Sequence, residues 1–548
     1  MDKSSTKFAG GDLGHDANSG RSLRSAGVMA GANAATAIVG LFNTVAIAHW
    51  FGTSRNAEIL FAGLTLVVIF HSFFQVTDFL LPKCASALRG GVDVANEFSS
   101  VLLNWAILIV VISSICLYLA SGPLAIIIAP GFGHDEVILL SRVFRGLIPV
   151  FLFSMLNALL LTLGNARSIY GKLEIHLFEG SLLGLITFVC LVGYIGIWAP
   201  VLGQCVTNIY TTFRNYIYLR MHGFNHSMQI KTKLVMDAPL SAKDMASAVA
   251  SVIFGQIYVF IFTAALTMLS PGVLAIYKYA ENLYSRFGSI FLRPVSIVLL
   301  TDTSMLVSMG AFAEVRKRLK KALHDHSVIY AGIVVVFIPV LPHLLSGLWG
   351  SSRFSGTDIL ATSHYVYALF GILVIEGWMM LYQRINIANG RAFWQYIGVV
   401  IVYIVCSLSI GKISNLSPEW FPVIVIALLD FLNLLYAISL SYISNKQVVA
   451  IPVFSYARPF IPMFLTFAVV ACIGMLFPWM GKIDSYDLSG KLYSLLHVVC
   501  IGTVSMIAFL MFTIITGPRE YMLIVRAIVR RISLMVCTLL VKRAPVLK

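Results

Sequence analysis

Residues 99–119 read SSVLLNWAILIVVISSICLYL and contain no charged side chain. A helix needs about 20 predominantly apolar residues to cross the hydrocarbon of a bilayer, so this stretch predicts one membrane-spanning helix. The same type of stretch recurs along the chain. We count fourteen, at residues 26–50, 59–81, 99–119, 147–163, 178–198, 200–219, 246–269, 273–305, 327–348, 362–382, 393–411, 420–442, 460–479 and 495–515. The sequence therefore predicts an all-α, polytopic membrane protein.

Composition leads to the same class of protein. Of the 548 residues, 59% are hydrophobic and 11% are charged, whereas a soluble domain carries roughly 25% charged residues. This excludes a soluble enzyme and a disordered chain. The net charge of +15 comes from basic residues in short segments between apolar runs, so we expect contact with membrane lipids and not with nucleic acid.

No catalytic or metal-binding motif is visible. The chain lacks the GxxxxGK[ST] phosphate loop, the HExxH zinc motif and the GxSxG nucleophile motif. Its eight cysteines lie mostly within apolar runs and form no CxxC or Cys/His spacing. We therefore expect a transport protein without a cofactor or a metal site, and not an enzyme.

Loop charges predict the orientation. With the N-terminus on the cytoplasmic side, that side collects 28 of the 39 lysines and arginines, the opposite side collects 5, and 6 lie within or at the spans. Cytoplasmic loops are enriched in basic residues, so both termini are expected in the cytoplasm. The first 25 residues are polar and do not resemble a signal peptide. The segment 314–321 is rich in Lys and Arg, and we interpret it as a helix on the membrane surface.

A weak internal repeat divides the spans. Ala57-Glu58 recurs as Ala280-Glu281, and Asp135 recurs as Asp358, at the same offset of six spans. We therefore predict two six-helix lobes in parallel repeat, followed by two further helices. The predicted organisation is a cytoplasmic tail (1–25), an N-lobe (26–221), a cytoplasmic linker (222–243), a C-lobe (244–443), the last two spans (444–516) and a basic amphipathic cytoplasmic tail (517–548).

Charged residues inside spans are costly in hydrocarbon and usually face a bundle interior or a cavity. The eighth span carries a polar stripe that falls within an arc of about 140°; it comprises Lys278, Glu281, Asn282, Ser285, Arg286, Ser289 and Arg293. In the second span, His71, Gln75 and Asp78 share one face. We take these residues as candidates for a substrate cavity, with Arg286 favoured because a guanidinium matches phosphate oxygens.

Structural explanations stay open for the same residues. Lys278 and Glu281 are spaced to form an internal ion pair, and His71 could simply be a packed histidine. The lone acids Glu376 and Asp430 suit either protonated structural groups or sites of ion or proton coupling.

One group of motifs resembles a known family. IAPGF at residues 128–132 and RGLIPVFLFS at 145–154 resemble the third-to-fourth helix signature of the MurJ (MviN) type lipid II flippases, members of the MOP exporter superfamily. YKYAENLY at 277–284 and NIANGR at 386–391 are further matches. The resemblance implies fourteen helices, two lobes and a cavity rich in arginine. At three family arginine positions this chain instead has Asn43, His71 and the pair Glu281-Asn282, so Asn43 joins the candidate cavity residues.

The resemblance implies a flippase in the bacterial inner membrane. Its substrate would be a glycan precursor linked to undecaprenyl pyrophosphate, either lipid II for peptidoglycan or an exopolysaccharide or O-antigen repeat unit. Enzymes of cell-envelope glycan synthesis are candidate partners. Two alternatives stay open, a cation-coupled exporter of small amphipathic compounds and a non-transporting membrane scaffold of the same fold.

Overall fold

The computed structural model describes residues 15–72, 84, 87, 91–167, 169, 171–228, 242–288, 311–388, 392–416, 420–445, 460–476 and 488–516. Within these ranges the chain is helical, and the only strand-like pairing is a single bridge between Ser351 and Phe354. The helices are α1 His15–Phe51, α2 Arg55–Ser72, α3 Val92–Ile128, α4 His134–Ala166, α5 Lys172–Ile195, α6 Trp198–Met221, α7 Ala242–Thr267, α8 273–288, α9 Phe312–Trp349, α10 Gly356–Ala388, α11 Ala392–Leu416, α12 Phe421–Asn445, α13 Phe460–Leu476 and α14 Leu488–Thr516.

Each of the fourteen predicted spans overlaps one of these helices, which confirms the predicted fold class; residues 73–81 and 289–305 of the second and eighth spans lie outside the described residues. Ten of the described helices are long and apolar enough to cross a membrane. The closest pair of predicted spans is separated by a real break, because Gly196 ends α5 with a φ of 56° and α6 starts at Trp198. Only glycine adopts such a φ readily, so the chain reverses direction there.

Two helices begin well before the apolar runs that predicted them. The fourth span was expected to start at residue 147, but α4 begins at His134 and carries Arg145 inside the helix, where its Nε donates to the Ser121 hydroxyl at 2.7 Å. The basic segment 314–321 is not a separate surface helix, because it forms the first turns of the continuous helix α9. There Val315 and Leu319 are buried against a C-lobe cluster, so the apolar face continues into the basic segment.

The helices pack in two main groups, for which we keep the names N-lobe and C-lobe. Helices α1 to α6 contact one another chiefly through the pairs α5–α6, α3–α4, α4–α6 and α2–α4, and helices α7 to α12 do so through α7–α11, α10–α12 and α9–α10. Helices α13 and α14 pack together and against α9. Glycines allow the closest approach, since a Cβ on Gly184 of α5 would lie 2.5 Å from the Gly203 carbonyl oxygen of α6.

Among the described residues, contacts between the two lobes include the pairs α2–α7, α3–α7 and α1–α9, and helix α8 also meets α1 and α2. The first three of these junctions lie toward one end of the bundle, where α1, α3, α7 and α9 end and α2, α4, α8 and α10 begin. We call this the distal end, and the opposite end, where α1 begins, the proximal end.

Candidate transport site

Helix α8 carries most of the candidate residues, and its start is held by the other lobe. The Glu58 Oε1 of α2 accepts hydrogen bonds from the backbone N–H groups of Gly272, at 2.8 Å, and Leu274, at 3.3 Å. The first N–H groups of a helix have no partner within the helix and carry a partial positive charge, so a carboxylate is a suitable cap. Glu58 is fully buried, and its Oε2 is 2.7 Å from Arg55 Nη1.

Further contacts join the lobes beside this cap. The Tyr279 hydroxyl of α8 donates to the Gly52 carbonyl at 2.8 Å, and the Arg353 guanidinium donates to the Trp50 carbonyl. Tyr279 also packs edge-on against Phe61, with ring centroids 5.1 Å apart. We call the Glu58 cap and the contacts of Tyr279 and Arg353 the distal latch. The hydrogen bonds donated by Gly272, Leu274, Tyr279 and Arg353 all cross between the two lobes at this latch.

Backbone fits tightly against backbone in the same region. A Cβ on Gly131, in the IAPGF segment, would lie 2.6 Å from the Thr267 carbonyl carbon at the end of α7. A Cβ on Gly52, which has a φ of 55°, would lie 2.7 Å from the Arg353 carbonyl carbon. Glycine is therefore needed at both positions for the lobes to close at the distal end.

Arg286 lies deeper and also reaches across the lobes. It is about 20 Å along α8 from residue 273, and Gly40 is about 17 Å along α1 from Phe51, so both are near the middle of a bilayer of about 30 Å. A Cβ on Gly40 would lie 2.6 Å from Arg286 Nη2 and 2.8 Å from its Nε. The guanidinium thus rests directly on the bare backbone of α1. Arg286 thus brings the stripe into contact with the N-lobe.

The other described residues of the stripe form contacts within α8, and Ser289 and Arg293 lie outside the described residues. Lys278 Nζ is 2.7 Å from Glu281 Oε2, and Lys278 is buried. The Asn282 side-chain amide donates to the Lys278 carbonyl at 2.9 Å, and the Ser285 hydroxyl donates to the Asn282 carbonyl at 2.9 Å. Lys278 and Glu281 therefore form the internal ion pair that the sequence left as one alternative. Lys278 has its partner within α8, whereas Arg286 contacts α1.

The candidate cavity residues of the N-lobe that the structure describes are His71 and Asn43. His71 is half-buried, and its Nδ1 is 3.1 Å from the Ser154 hydroxyl of α4. Asn43 is half-buried on α1, one turn beyond Gly40 and on the same face. Asp78 and Arg293 lie outside the described residues.

The two lone acids lie in the C-lobe, close to tyrosines. The Tyr284 hydroxyl of α8 donates to Glu376 Oε2 of α10. The Asp430 carboxylate of α12 faces Gly371 of α10, where a Cβ would lie 2.8 Å from Oδ2, and its Oδ1 has no hydrogen-bond partner among the described residues. A stacked pair, Tyr258 and Tyr403, lies nearby with ring centroids 5.5 Å apart.

Three features of the site were not predicted from the sequence. Glu58 served only as a repeat marker, because an acid in the first turn of α2 signals the start of α2 itself and not a cap on α8. The tyrosines around Glu376 gave no signal, because tyrosine is common in membrane helices. Gly40 was not singled out either, although a glycine inside a predicted helix usually has a packing or functional reason.

The comparisons with known proteins identify the family of the chain. The family model of lipid II flippase MurJ matches residues 56–376, more than half of the chain. The chain belongs to the MurJ family. Membership in the MurJ family makes it a membrane flippase or transporter and not an enzyme.

Solved structures share its fold at low sequence identity. A lipid II flippase MurJ in an inward closed conformation has 17% identity and a TM-score of 0.69, covering 88% of this chain and 96% of that one. An inward-facing MATE family transporter of the MOP superfamily has 14% identity and a TM-score of 0.58, covering 75% and 96%. A eukaryotic MATE transporter has 13% identity and a TM-score of 0.59, covering 80% and 98%. No curated protein matches the sequence. At these identities the solved structures show a shared fold and nothing further.

Proposed function

We propose that the protein flips a glycan precursor linked to undecaprenyl pyrophosphate across the bacterial inner membrane by alternating access. The observation that carries the proposal is Arg286, a permanent cation at mid-membrane depth where the two lobes meet. A guanidinium has donors in a planar fork that matches phosphate oxygens, and it keeps its charge in a low dielectric. Lipid II and an exopolysaccharide or O-antigen repeat unit share this pyrophosphate, so both remain within the proposal.

The distal latch closes the distal end of the protein in this arrangement. Its hydrogen bonds hold α8 to α2 and the Gly52 turn, so substrate in this arrangement enters from the proximal end. Loop charges make the proximal end cytoplasmic, where such precursors are assembled. Breaking the latch would allow the lobes to rock and expose Arg286 to the distal side, while the lipid tail stays in the bilayer.

Coupling would come from the acids of the C-lobe. Glu376 is joined through Tyr284 to the same helix that carries Arg286, so a change of its protonation would act directly on α8. One charge that crosses 100 mV changes the free energy by about 2.3 kcal/mol, which is enough to bias a two-state carrier more than tenfold. We therefore include Glu376 and Asp430 as coupling residues in the proposal.

The test is a flipping assay in proteoliposomes with fluorescent lipid II and with a fluorescent undecaprenyl-pyrophosphate oligosaccharide. The wild-type protein is expected to move at least one of them without ATP, and Arg286→Ala is expected to abolish movement at unchanged melting temperature. Lys412→Ala is the matched control, because Lys412 is an exposed cation near the end of α11. Arg286→Lys should recover part of the rate, since the ammonium keeps the charge but loses the fork.

Two results would contradict the proposal. If Arg286→Ala flips substrate at the wild-type rate, the substrate does not bind at this site. A loss of melting temperature in that variant would instead indicate a structural cation, because removing one partner of a buried charge is strongly destabilising.

The tyrosine and carboxylate groups of the C-lobe support a second candidate, a cation-coupled exporter of small amphipathic compounds. The Asp430 Oδ1 without a hydrogen-bond partner among the described residues is the observation that favours it. Dye efflux that depends on Asp430 but not on Arg286 would select this candidate over the flippase.

A further inference from the structure

The contact between Arg286 and Gly40 joins two helices of different lobes. A Cβ on Gly40 would be 2.6 Å from Nη2 and 2.8 Å from Nε, closer than Cβ atoms approach other heavy atoms. The guanidinium therefore occupies the volume that any other residue at position 40 would fill. Gly40 keeps ordinary helical connections, since its carbonyl accepts a hydrogen bond from the Thr44 hydroxyl at 3.0 Å.

Helix stability does not explain a glycine at this position. Glycine within a helix is less favourable than alanine, because it loses more backbone freedom on folding. Gly40 also has no positive φ, unlike Gly52 and the other glycines that flank helices. Its distinctive property in the structure is the missing Cβ beneath the guanidinium.

We propose that Gly40 is a positioning residue that orients the Arg286 fork toward the substrate pyrophosphate, an inference that rests on the proposed function. The bare backbone of α1 lies against the guanidinium near Nε and Nη2, which leaves a limited set of orientations for its donors. Bidentate binding needs both N–H donors aligned with phosphate oxygens, so a displaced fork binds more weakly.

The position of Gly40 also makes this support conditional on lobe geometry. Gly40 belongs to the N-lobe and Arg286 to the C-lobe, so rocking the lobes apart removes the backbone from beneath the guanidinium. The grip on the pyrophosphate is then strongest while the distal latch is closed and weakens as the lobes separate. This sequence lets the protein release its substrate on the distal side.

The first experiment compares Gly40→Ala with Gly31→Ala, a matched control in the same helix where a Cβ meets no atom within 4 Å. The atoms that oppose a Cβ at position 40 are the end of a flexible side chain, so Gly40→Ala should move the guanidinium and leave the melting temperature unchanged. We expect about a tenfold loss of flipping for Gly40→Ala, because misplacement by about 1 Å can cost one to two orders of magnitude. Gly31→Ala should flip at the wild-type rate.

Gly40→Ala in the Arg286→Lys background tests whether the loss of flipping depends on the guanidinium. An ammonium has no plane to orient, so Gly40→Ala should change the remaining rate less than about twofold in that background. An equal loss in both backgrounds would overturn the inference, since α1 itself would then be responsible. Wild-type flipping by Gly40→Ala would overturn it as well.

A second measurement separates this inference from the proposed function. Phenylglyoxal modification of Arg286 is followed by mass spectrometry, with and without inorganic pyrophosphate as the probe. Pyrophosphate is expected to protect Arg286 in the wild type and in Gly31→Ala, but at about tenfold higher concentration in Gly40→Ala. Equal protection in all three overturns the positioning role whatever the transport result. If protection differs as expected but the protein flips neither glycolipid, the proposed function is refuted and the positioning role of Gly40 is not.

Discussion

The cap that Glu58 places on helix α8 predicts how firmly the distal end stays closed. Glu58 Oε1 accepts from Gly272 at 2.8 Å and from Leu274 at 3.3 Å, and Oε2 pairs with Arg55 at 2.7 Å. Glu58→Gln keeps an oxygen for the two N–H groups but removes the charge. Since hydrogen bonds to a charged acceptor are roughly twice as strong as neutral ones, and the helix start adds a favourable interaction with the charge, we expect a loss of about 2 kcal/mol.

A loss of about 2 kcal/mol corresponds to about a 30-fold shift toward the distal-open arrangement. The assay places a cysteine at Phe61, which is 3% exposed and packs on Tyr279 across the latch. In a background without native cysteines, an impermeant thiol reagent added outside the cell should reach this thiol only when the latch opens. Labelling should therefore be about 30-fold faster in Glu58→Gln.

Glu136→Gln is the matched control for this assay. Glu136 is the second acid near Arg55, at 3.3 Å from its Nε, but its other contact caps α4 within the N-lobe. It should leave the labelling rate nearly unchanged. Labelling of Glu58→Gln at the rate of the parent, or an equal acceleration by Glu136→Gln, would refute the argument that the charge on α8 holds the latch.

Three further predictions concern packing, topology and coupling. Gly184→Ala should lower stability by about 1 to 3 kcal/mol through overpacking of α5 on α6, while Gly193→Ala, whose Cβ meets no atom within 4 Å, should not; equal melting temperatures would contradict this close packing. A cysteine at Ser351 should react with an impermeant reagent from outside intact cells and one at Lys320 should react only after the membrane is opened, and the reverse result would invert the proposed orientation. Glu376→Gln should retain flipping but lose the response of its rate to a proton gradient, and a full response in this variant would exclude Glu376 from coupling.

The number and the type of the elements could be predicted from the sequence. A backbone in hydrocarbon must satisfy its hydrogen bonds internally, so each apolar run of sufficient length becomes a helix. The boundaries were less certain, because apolarity marks the part of a helix that lies in lipid and not its full length. Helix α9 shows this, since its basic first turns at 312–321 lie outside the apolar run but continue the same helix.

The sequence also determined which residues of α8 share a face, because the helical period fixes their angular spacing. It could not determine what that face meets. Lys278 forms an ion pair with Glu281 in its own helix, whereas Arg286 contacts Gly40 of α1. The start of α8 is capped by Glu58, which is 214 residues away in sequence from Gly272. Such partners depend on how helices distant in sequence pack against one another, and periodicity within one helix carries no information on that. The tertiary structure alone therefore decided that a stripe of similar polar residues is divided between an internal ion pair and a contact between the lobes.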